Sequence, residues 1–331
     1  MKKYLIFIFF LIIVTCDFKP RAEGIENQIN VVVSFEDFSE AKAIIDSIFS
    51  QAILTPEPES FFDVQYISPD EFNNIKHYHN ILVVSILDIP DSTGDKLIYN
   101  LLPKNNLQIE NNKIFSKNDV FARGQVFSII YGNDAKDFKN TLRINSKWIY
   151  EKYFNFYKNR QEKYLFKRRE QKDLSEILFN KYDWKIRIQQ DFTIVKDDSL
   201  NDFIWLGRAF PFRWLSVHWS DYNYSSTLES LNFDKILYNY SKFYNDDIYF
   251  LKNYRKIHID KIGNFKALKI EGLWEHKTDV KGGPFISYFF YDINLKKFFH
   301  INLLVHNPGR KKLPSLLQLE IMAKTFNSRL K

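Results

Sequence analysis

Hydrophobic periodicity changes character partway along the chain, and that change limits the folds open to it. From Ile29 to Leu87 the apolar pattern switches repeatedly between a strand period of two and a helix period of 3.6. Ile29 to Phe35 is a β-branched run that reads as a strand. Asp37 then reads as a helix cap with Glu40 completing a capping box, and Ala41, Ile44, Ile45, Ile48 and Phe49 form one apolar helix face. Phe62, Val64 and Tyr66 alternate with polar residues as a half-buried strand, Ser68-Pro69-Asp70-Glu71 opens a second helix, and Asn80 to Leu87 is continuous enough to lie centrally in a sheet. Gln125 to Tyr131 is a further strand, and a long helix is predicted from about Ala135 toward Tyr164, ending in the charged segment Lys163 to Lys172.

Beyond that helix the pattern is mostly of period two. Strands are predicted at Trp184 to Ile188, Phe192 to Val195, Phe203 to Arg208 and Trp214 to Trp219. A helix follows from Asn232 or Asp234 to Tyr244. A three-strand meander is expected over Ala267 to Trp274, Phe285 to Tyr291 and Lys297 to His306, and Pro314 opens a last amphipathic helix to Leu330. The expected fold is therefore α+β, with two halves of mixed or antiparallel sheets flanked by helices and joined by the long helix. The expected division is a signal at 1–15, a tether at 16–28, an N-terminal α/β half at 29–172 and a strand-rich α+β half at 173–331. Asp119 to Ser128 and Asp279 to Ser287 echo each other, which would fit an old duplication.

The N-terminus carries the plainest functional signal. Met1-Lys2-Lys3 precedes an apolar run from Tyr4 to Val14, the layout of a secretory signal and too short to span a bilayer. Ile13-Val14-Thr15-Cys16 resembles the lipobox of bacterial lipoproteins, in which the Cys sulfur takes a diacylglycerol and becomes the first mature residue. Thr15 departs from the Gly, Ala or Ser usual before that Cys. Cys16 is the single cysteine of the 331 residues, so no internal disulfide can form and the core must supply stability. The expectation is a lipoprotein carrying palmitate-type acyl chains, held in the cell envelope, with the outer membrane as its place.

Composition excludes some functions. The net charge of +7 drops to +5 when Lys2 and Lys3 leave with the signal, too little over this length to argue for nucleic acid. The 32 Phe and 19 Tyr accompany abundant Lys, Asn and Ile, as an AT-rich genome would encode, so the aromatic content does not by itself mark a ligand site. No GxGxxG, GxxxxGK[ST], HExxH, GxSxG or CxxC motif occurs. No cofactor and no metal are expected. His300, Asn302 and His306 share one strand face and His77 and His79 form a pair, but neither spacing makes ligands converge, and they read as exposed histidines. The Arg160 to Lys172 run reads as a solvated helix end.

One constellation stands out in the second half. Glu271 and Glu275 lie on one strand face near Trp274 and His276, and Gly282-Gly283-Pro284 follows. Paired carboxylates can do acid–base work, and a Gly-Gly turn can present backbone N–H groups to an anion. The plainer readings are a solvated strand face and a tight strand connection in which Gly supplies positive φ. Glu271, Trp274, Glu275, Gly282, Gly283 and Pro284 are therefore the candidate ligand or structural site, with catalytic residues unassigned.

Glu271-Gly272-Leu273-Trp274-Glu275 with Gly282-Gly283-Pro284-Phe285, Phe203-Ile204-Trp205-Leu206, Val120-Phe121-Ala122-Arg123 with Gln125, and Phe72-Asn73 ahead of Asn80-Ile81-Leu82 together resemble a Bacteroidota-type envelope lipoprotein family, the domain of unknown function numbered 4837. Lys281 stands where that family tends to have Met, Gly124 where it has Pro, and Glu23 to Asn30 is poorer in Gly. The resemblance implies a lipidated N-terminus and an envelope location, and no reaction. The expectation is thus a non-enzymatic binding or structural lipoprotein whose partners are the membrane and an envelope protein. The alternative is an envelope-polymer hydrolase using carboxylates near Glu271 and Glu275.

Overall fold

The computed structural model describes residues 19–53, 55, 57–87, 93–102, 113–167, 170–221 and 228–329. Cys16 and the signal lie outside the described residues. The chain forms two compact units. The first comprises the described residues up to Ala41 together with Gln65–Thr141, and the second comprises Lys42–Val64 and Leu142–Lys331. The fold is α+β, with a mixed sheet in the first unit and an antiparallel sheet in the second.

The sheet of the first unit is built from β1 (Gln28–Val32), β2 (Asp63–Ile67), β3 (Asn80–Ile86), β4 (Ile114–Asn118) and β5 (Val126–Gly132), in the order β2-β1-β3-β5-β4. β1 and β3 run parallel, as do β3 and β5, while β4 is antiparallel to β5. Every residue of β3 and of β5 is buried, which accounts for their continuous apolar sequences. Val32, Ile81, Val83, Phe127 and Ile129 pack with Phe72, Ile75 and Ile98 in one cluster. Those last residues come from the short helix α2 (Phe72–Ile75), which follows a 3-10 turn at Pro69–Glu71, and from α3 (Thr93–Leu101). Neither α3 nor β4 is among the elements predicted from the sequence, although α3 is clearly amphipathic.

The start of α1 (Phe35–Phe49) differs from expectation. The first strand ends at Val32, and Phe35 begins the helix with its ring 92% exposed. Ser34 is the cap: its hydroxyl accepts the Asp37 N–H at 3.2 Å. Asp37 sits three residues inside the helix and is fully buried. The cap thus lies three residues upstream of its predicted position, and the Asp37 carboxylate turns to the Ile86 N–H and Ser85 hydroxyl instead.

α4 (Ala135–Lys167) reaches slightly beyond its predicted end, and a separate helix, α5 (Lys172–Tyr182), follows. The charged run between them is less solvated than its composition suggests. The Arg160 guanidinium lies over the Phe156 and Tyr157 rings, Gln161, Leu165 and Phe166 are buried, and Glu170 pairs with Arg187 at 2.7 Å.

The sheet of the second unit contains β6 (Thr193–Asp198), β7 (Phe203–Arg208), β8 (Phe212–Asp221), β9 (Ile248–Phe250), β10 (Lys256–Ile262), β11 (Phe265–His276), β12 (Gly282–Asp292) and β13 (Lys297–His306). Its order is β9-β11-β12-β13-β8-β7-β6, with β10 also pairing β11. The predicted meander is present as β11-β12-β13, in the register Phe285↔Leu304 through Asp292↔Lys297 between its last two strands. One face carries α6 (Phe233–Tyr240), whose Asn232 side chain caps it by accepting the Lys235 N–H. That face holds Phe203, Ile270, Trp274, Phe285, Phe289 and Leu304 against Leu237, Tyr240 and Tyr244. α7 (Leu313–Ala323) packs on the sheet with most of its residues buried, and it ends before the predicted Leu330. Two-residue pairings join Ala52–Ile53 to Glu59–Ser60 and Trp184–Lys185 to Asn327–Ser328. The echo between Asp119–Ser128 and Asp279–Ser287 has no topological counterpart: β5 joins a parallel neighbour, whereas β12 sits inside an antiparallel meander.

Candidate functional site

The Gly-Gly-Pro segment is extended strand rather than a turn. Gly282 and Gly283 open β12, and neither is among the residues with positive φ. The turn itself lies at His276 to Lys281, where the His276 ring nitrogen accepts from Asp279 N–H at 3.0 Å. The two glycines are required by close approach instead. A Cβ on Gly283 would stand 2.0 Å from the Val305 carbonyl oxygen, and one on Gly282 would stand 2.8 Å from that of Trp274. Trp274 is fully buried opposite Gly283 in the ladder, and its indole N–H donates to the Val305 carbonyl at 3.3 Å. Pro284 has no N–H to give, and the regular register with β13 begins only at Phe285. The indole therefore supplies a donor at the corner where the ladder opens.

This corner forms one end of a groove of about 840 Å³. Trp274, Glu275, His276, Gly282, Gly283 and His306 line it, with Leu251, Leu273, Pro58 and Pro308 as apolar wall. Its rim carries both signs of charge: Glu57, Glu275 and Asp279 against Lys281 and Lys312. His306 Nδ1 lies 2.9 Å from the Gly282 carbonyl oxygen and 3.3 Å from its backbone nitrogen, and the ring tautomer selects one of the two as its hydrogen-bond partner. The Lys312 side chain is bound by Glu59 at 3.0 Å.

The candidate residues are only partly brought together. Trp274, Glu275, Gly282 and Gly283 line the groove, and Glu271 and Pro284 are not among its lining. Glu271 and Glu275 do share a strand face, but each has a different partner. The Tyr249 hydroxyl donates to Glu275. Glu271 pairs at 2.8 Å with Lys269, which also binds Glu320 at 3.0 Å. Burial alone would raise the Glu320 carboxyl, but Lys269 and Lys324, together with the Tyr288 hydroxyl that donates at 2.6 Å, hold it down at about 2. Glu271 thus belongs to a structural ion network, and the two glutamates do not form an acid–base pair over one pocket.

The histidines of the last strand are not exposed, contrary to expectation. His300 and Asn302 are fully buried beneath α6. Asn302 faces Ser216 and Ser287 across neighbouring strands, and His300 faces His218 and Phe289. His300 Nε2 lies 3.1 Å from the Ser287 hydroxyl, which donates to Asn302 Oδ1 at 2.8 Å. The Asn302 amide donates to the Tyr244 hydroxyl at 3.2 Å, and Ser216 bonds both Tyr240 and Tyr244, at 2.9 and 2.5 Å. Burial pushes the His218 pKa down to about 4 and the His300 pKa well below its ordinary value. His218 also floors a second cavity of about 570 Å³, walled by Phe243 and Phe298. Alternation along β13 contained this layer, but a polar stripe on a strand reads as the solvent face unless a helix is known to cover it. His77 and His79 lie in the first unit, where their backbone groups hold the Glu23 peptide. Among the described residues, no three His, Cys, Asp or Glu side chains are placed to hold a metal ion.

A buried acid pair in the first unit also escaped the sequence. β2 lies on one side of β1 and β3 on the other, so the carboxyl ends of β1 and β3 flank the point where the chain turns opposite ways, the usual place for a ligand crevice in open α/β sheets. There the Asp37 carboxylate accepts the Ile86 N–H at 3.1 Å and meets the Ser85 hydroxyl at 3.2 Å, while Ser85 lies 2.5 Å from Asp95. Ser85 has one hydrogen for two carboxylates, so the second contact needs a proton on one of the acids. Burial raises the Asp37 pKa, and Asp95 adds to it. Gly94 leaves room for this cluster, since a Cβ there would stand 2.9 Å from the Ser85 hydroxyl.

Comparison with known proteins agrees with part of the sequence resemblance. Residues 170–325 match the family model described as Domain of unknown function (DUF4837). Residues 22–166 match a second model, Domain of unknown function (DUF8532). Of the resembling segments, those at Phe203–Leu206 and Glu271–Phe285 fall inside the first match, and those at Phe72–Leu82 and Val120–Gln125 fall inside the second. No curated protein matches the chain. Solved structures similar to it include a mutant of the protein Mog1, 9% identical, and the Saccharomyces cerevisiae Ran-binding protein Mog1p, 10% identical. Each match covers 44% of this chain and 90% of the other, at a TM-score of 0.31, too low to carry an argument. Among the described residues no helix is long and apolar enough to cross a membrane.

Proposed function

We propose that this chain is an outer-membrane lipoprotein of the cell envelope, anchored through Cys16, that works as a binding module with the groove beside Trp274 as its contact surface. The anchor rests on the sequence: a basic start, a short apolar run and a lone cysteine directly after it. Several acyl chains at about 0.8 kcal/mol per buried CH₂ make such an anchor stable. Binding rests on one observation, the groove itself. Its floor is held by the Trp274–Val305 hydrogen bond and by glycines that admit no side chain, and its rim carries both charge signs around an apolar wall. That mixture suits a segment of an envelope protein, which presents backbone, charge and apolar side chains together. The hydrolase alternative has less support, because Glu271 is engaged by Lys269 away from the groove.

Two measurements test the reading. Cys16→Ser should move the protein from the membrane fraction to the soluble envelope fraction; retention with membranes would end the anchoring claim. A photo-crosslinker at Val280, a groove residue whose side chain is fully exposed, should trap one defined envelope protein, whereas the same probe at exposed Leu200 should not. Identical adduct patterns from both positions, or none from Val280, would refute the groove as the binding surface.

A further inference from the structure

Arg213 is 6% exposed, and among the described residues no carboxylate pairs with it. Its guanidinium donates to Gln318, a neutral side chain that in turn donates to Gln161 at 2.8 Å, and its Nε has no partner. Directly opposite it in the β7–β8 ladder stands Arg208. Residues directly opposite project from the same face, so two cations share one patch, an arrangement that is unfavourable by itself. Arg208 also has a buried Nε without a partner, and its acid neighbour, the largely exposed Asp191, is 4.0 Å away. Burial, and after it Arg208, pushes the Arg213 pKa down to about 10, and the opposing pull of Tyr164 and of the exposed Asp191 offsets this only in part. Buried charges are ordinarily paired, and a guanidinium fork matches the two oxygens of a carboxylate or phosphate.

We propose that Arg208 and Arg213 form a binding site for an oxyanion, the phosphate or carboxylate group of a ligand, which supplies the counter-charge the protein withholds. The second unit carries this site on β7 and β8, braced by Gln318 of α7, and it stands independently of the Trp274 groove. A strand pair is a rigid platform, and both guanidinium groups are placed before the ligand arrives, so little ordering is needed on binding. The ligand's negative group can be free in solution or part of a lipid headgroup, and the chemistry of recognition is the same.

The test uses the full-length Cys16→Ser protein, so that acylation does not dictate membrane association. Thermal unfolding is followed in inorganic phosphate, in acetate and in sodium chloride at matched ionic strength. Phosphate or acetate should raise Tm by about 2–4 °C over chloride. Arg213→Gln should abolish the difference, and Arg208→Gln should reduce it; Arg208→Gln alone decides the matter if the first variant does not fold. Cosedimentation with phosphatidylglycerol against phosphatidylcholine vesicles separates the sources. A shift in free anion assigns a soluble ligand, and Arg208-dependent binding to phosphatidylglycerol without such a shift assigns a headgroup. No anion effect beyond chloride together with no preference for phosphatidylglycerol overturns the proposal, as does an effect that survives substitution of the arginines.

Discussion

The indole N–H of Trp274 donates to the carbonyl oxygen of Val305, two strands away, by passing across Gly283. The arrangement depends on the missing side chain. Gly283→Ala would place a methyl 2.0 Å from that oxygen, and the obstacle is backbone, which cannot swing aside. The variant should lose about 1–3 kcal/mol of stability, read as a lower urea midpoint with altered tryptophan fluorescence. A midpoint equal to that of the parent would mean that the strands part more easily than this packing allows.

Asp37→Asn should stabilise the protein at pH 7. Burial raises the folded pKa of Asp37, so the native state holds this proton more tightly than the unfolded chain does. Stability from this group is therefore greatest below its ordinary pKa of 3.8 and declines as pH rises through the raised value. Asn imitates the protonated form: its Oδ1 can accept the Ile86 N–H and its amide can donate to Ser85. A gain of about 1 kcal/mol is expected at pH 7, shrinking toward pH 4. A loss at pH 7 would show that the Asp37–Ser85–Asp95 cluster works with both acids ionised.

One buried histidine, His300, and one half-buried one, His218, make the second unit acid-sensitive. His218 falls from its ordinary 6.5 to about 4, and His300 is shifted the same way, both through burial. The unfolded chain then binds protons that the native state refuses, so stability is full above 6.5 and declines as pH falls from there toward 4. Each fully shifted histidine contributes a slope approaching about 1.4 kcal/mol per pH unit in that window. Urea titrations at pH 7, 6 and 5 should show the decline before most carboxylates titrate. His218→Phe, which keeps a ring against Phe243, should flatten it by roughly half. An unchanged slope would place the acid sensitivity elsewhere.

Much of the architecture was readable because it rests on local periodicity. The continuous apolar run at Asn80–Leu87 reads as a central strand and Gln125–Tyr131 as a further strand, and alternation placed the β11-β12-β13 meander close to its observed limits. Asn232 acts as a cap within its own helix, so its role was visible in its immediate neighbours. Asp37 shows where such reasoning stops. As a residue near a helix start it looks like a cap, and only the arrival of Ser85 and Ile86, 48 and 49 residues later, makes it a buried acid. His300 and Asn302 fail for the same reason, since a polar stripe is ambiguous until α6 covers it. The glycines were rightly singled out and wrongly explained: their purpose lies in close approach, of the Val305 carbonyl at Gly283 and of the Trp274 carbonyl at Gly282, both from other strands.

The sequence by itself determined the α+β class, the order of the main strands along the chain, the absence of internal disulfides and the resemblance of residues 170–325 to the family model they match. These follow from composition, spacing and patterns a few residues long. Tertiary structure decided which polar side chains are buried, that Glu271 serves an ion network while Glu275 faces a groove, and that Arg208 and Arg213 share one face. Burial and electrostatic pairing depend on what packs from distant parts of the chain, and the local pattern carries no record of that neighbour.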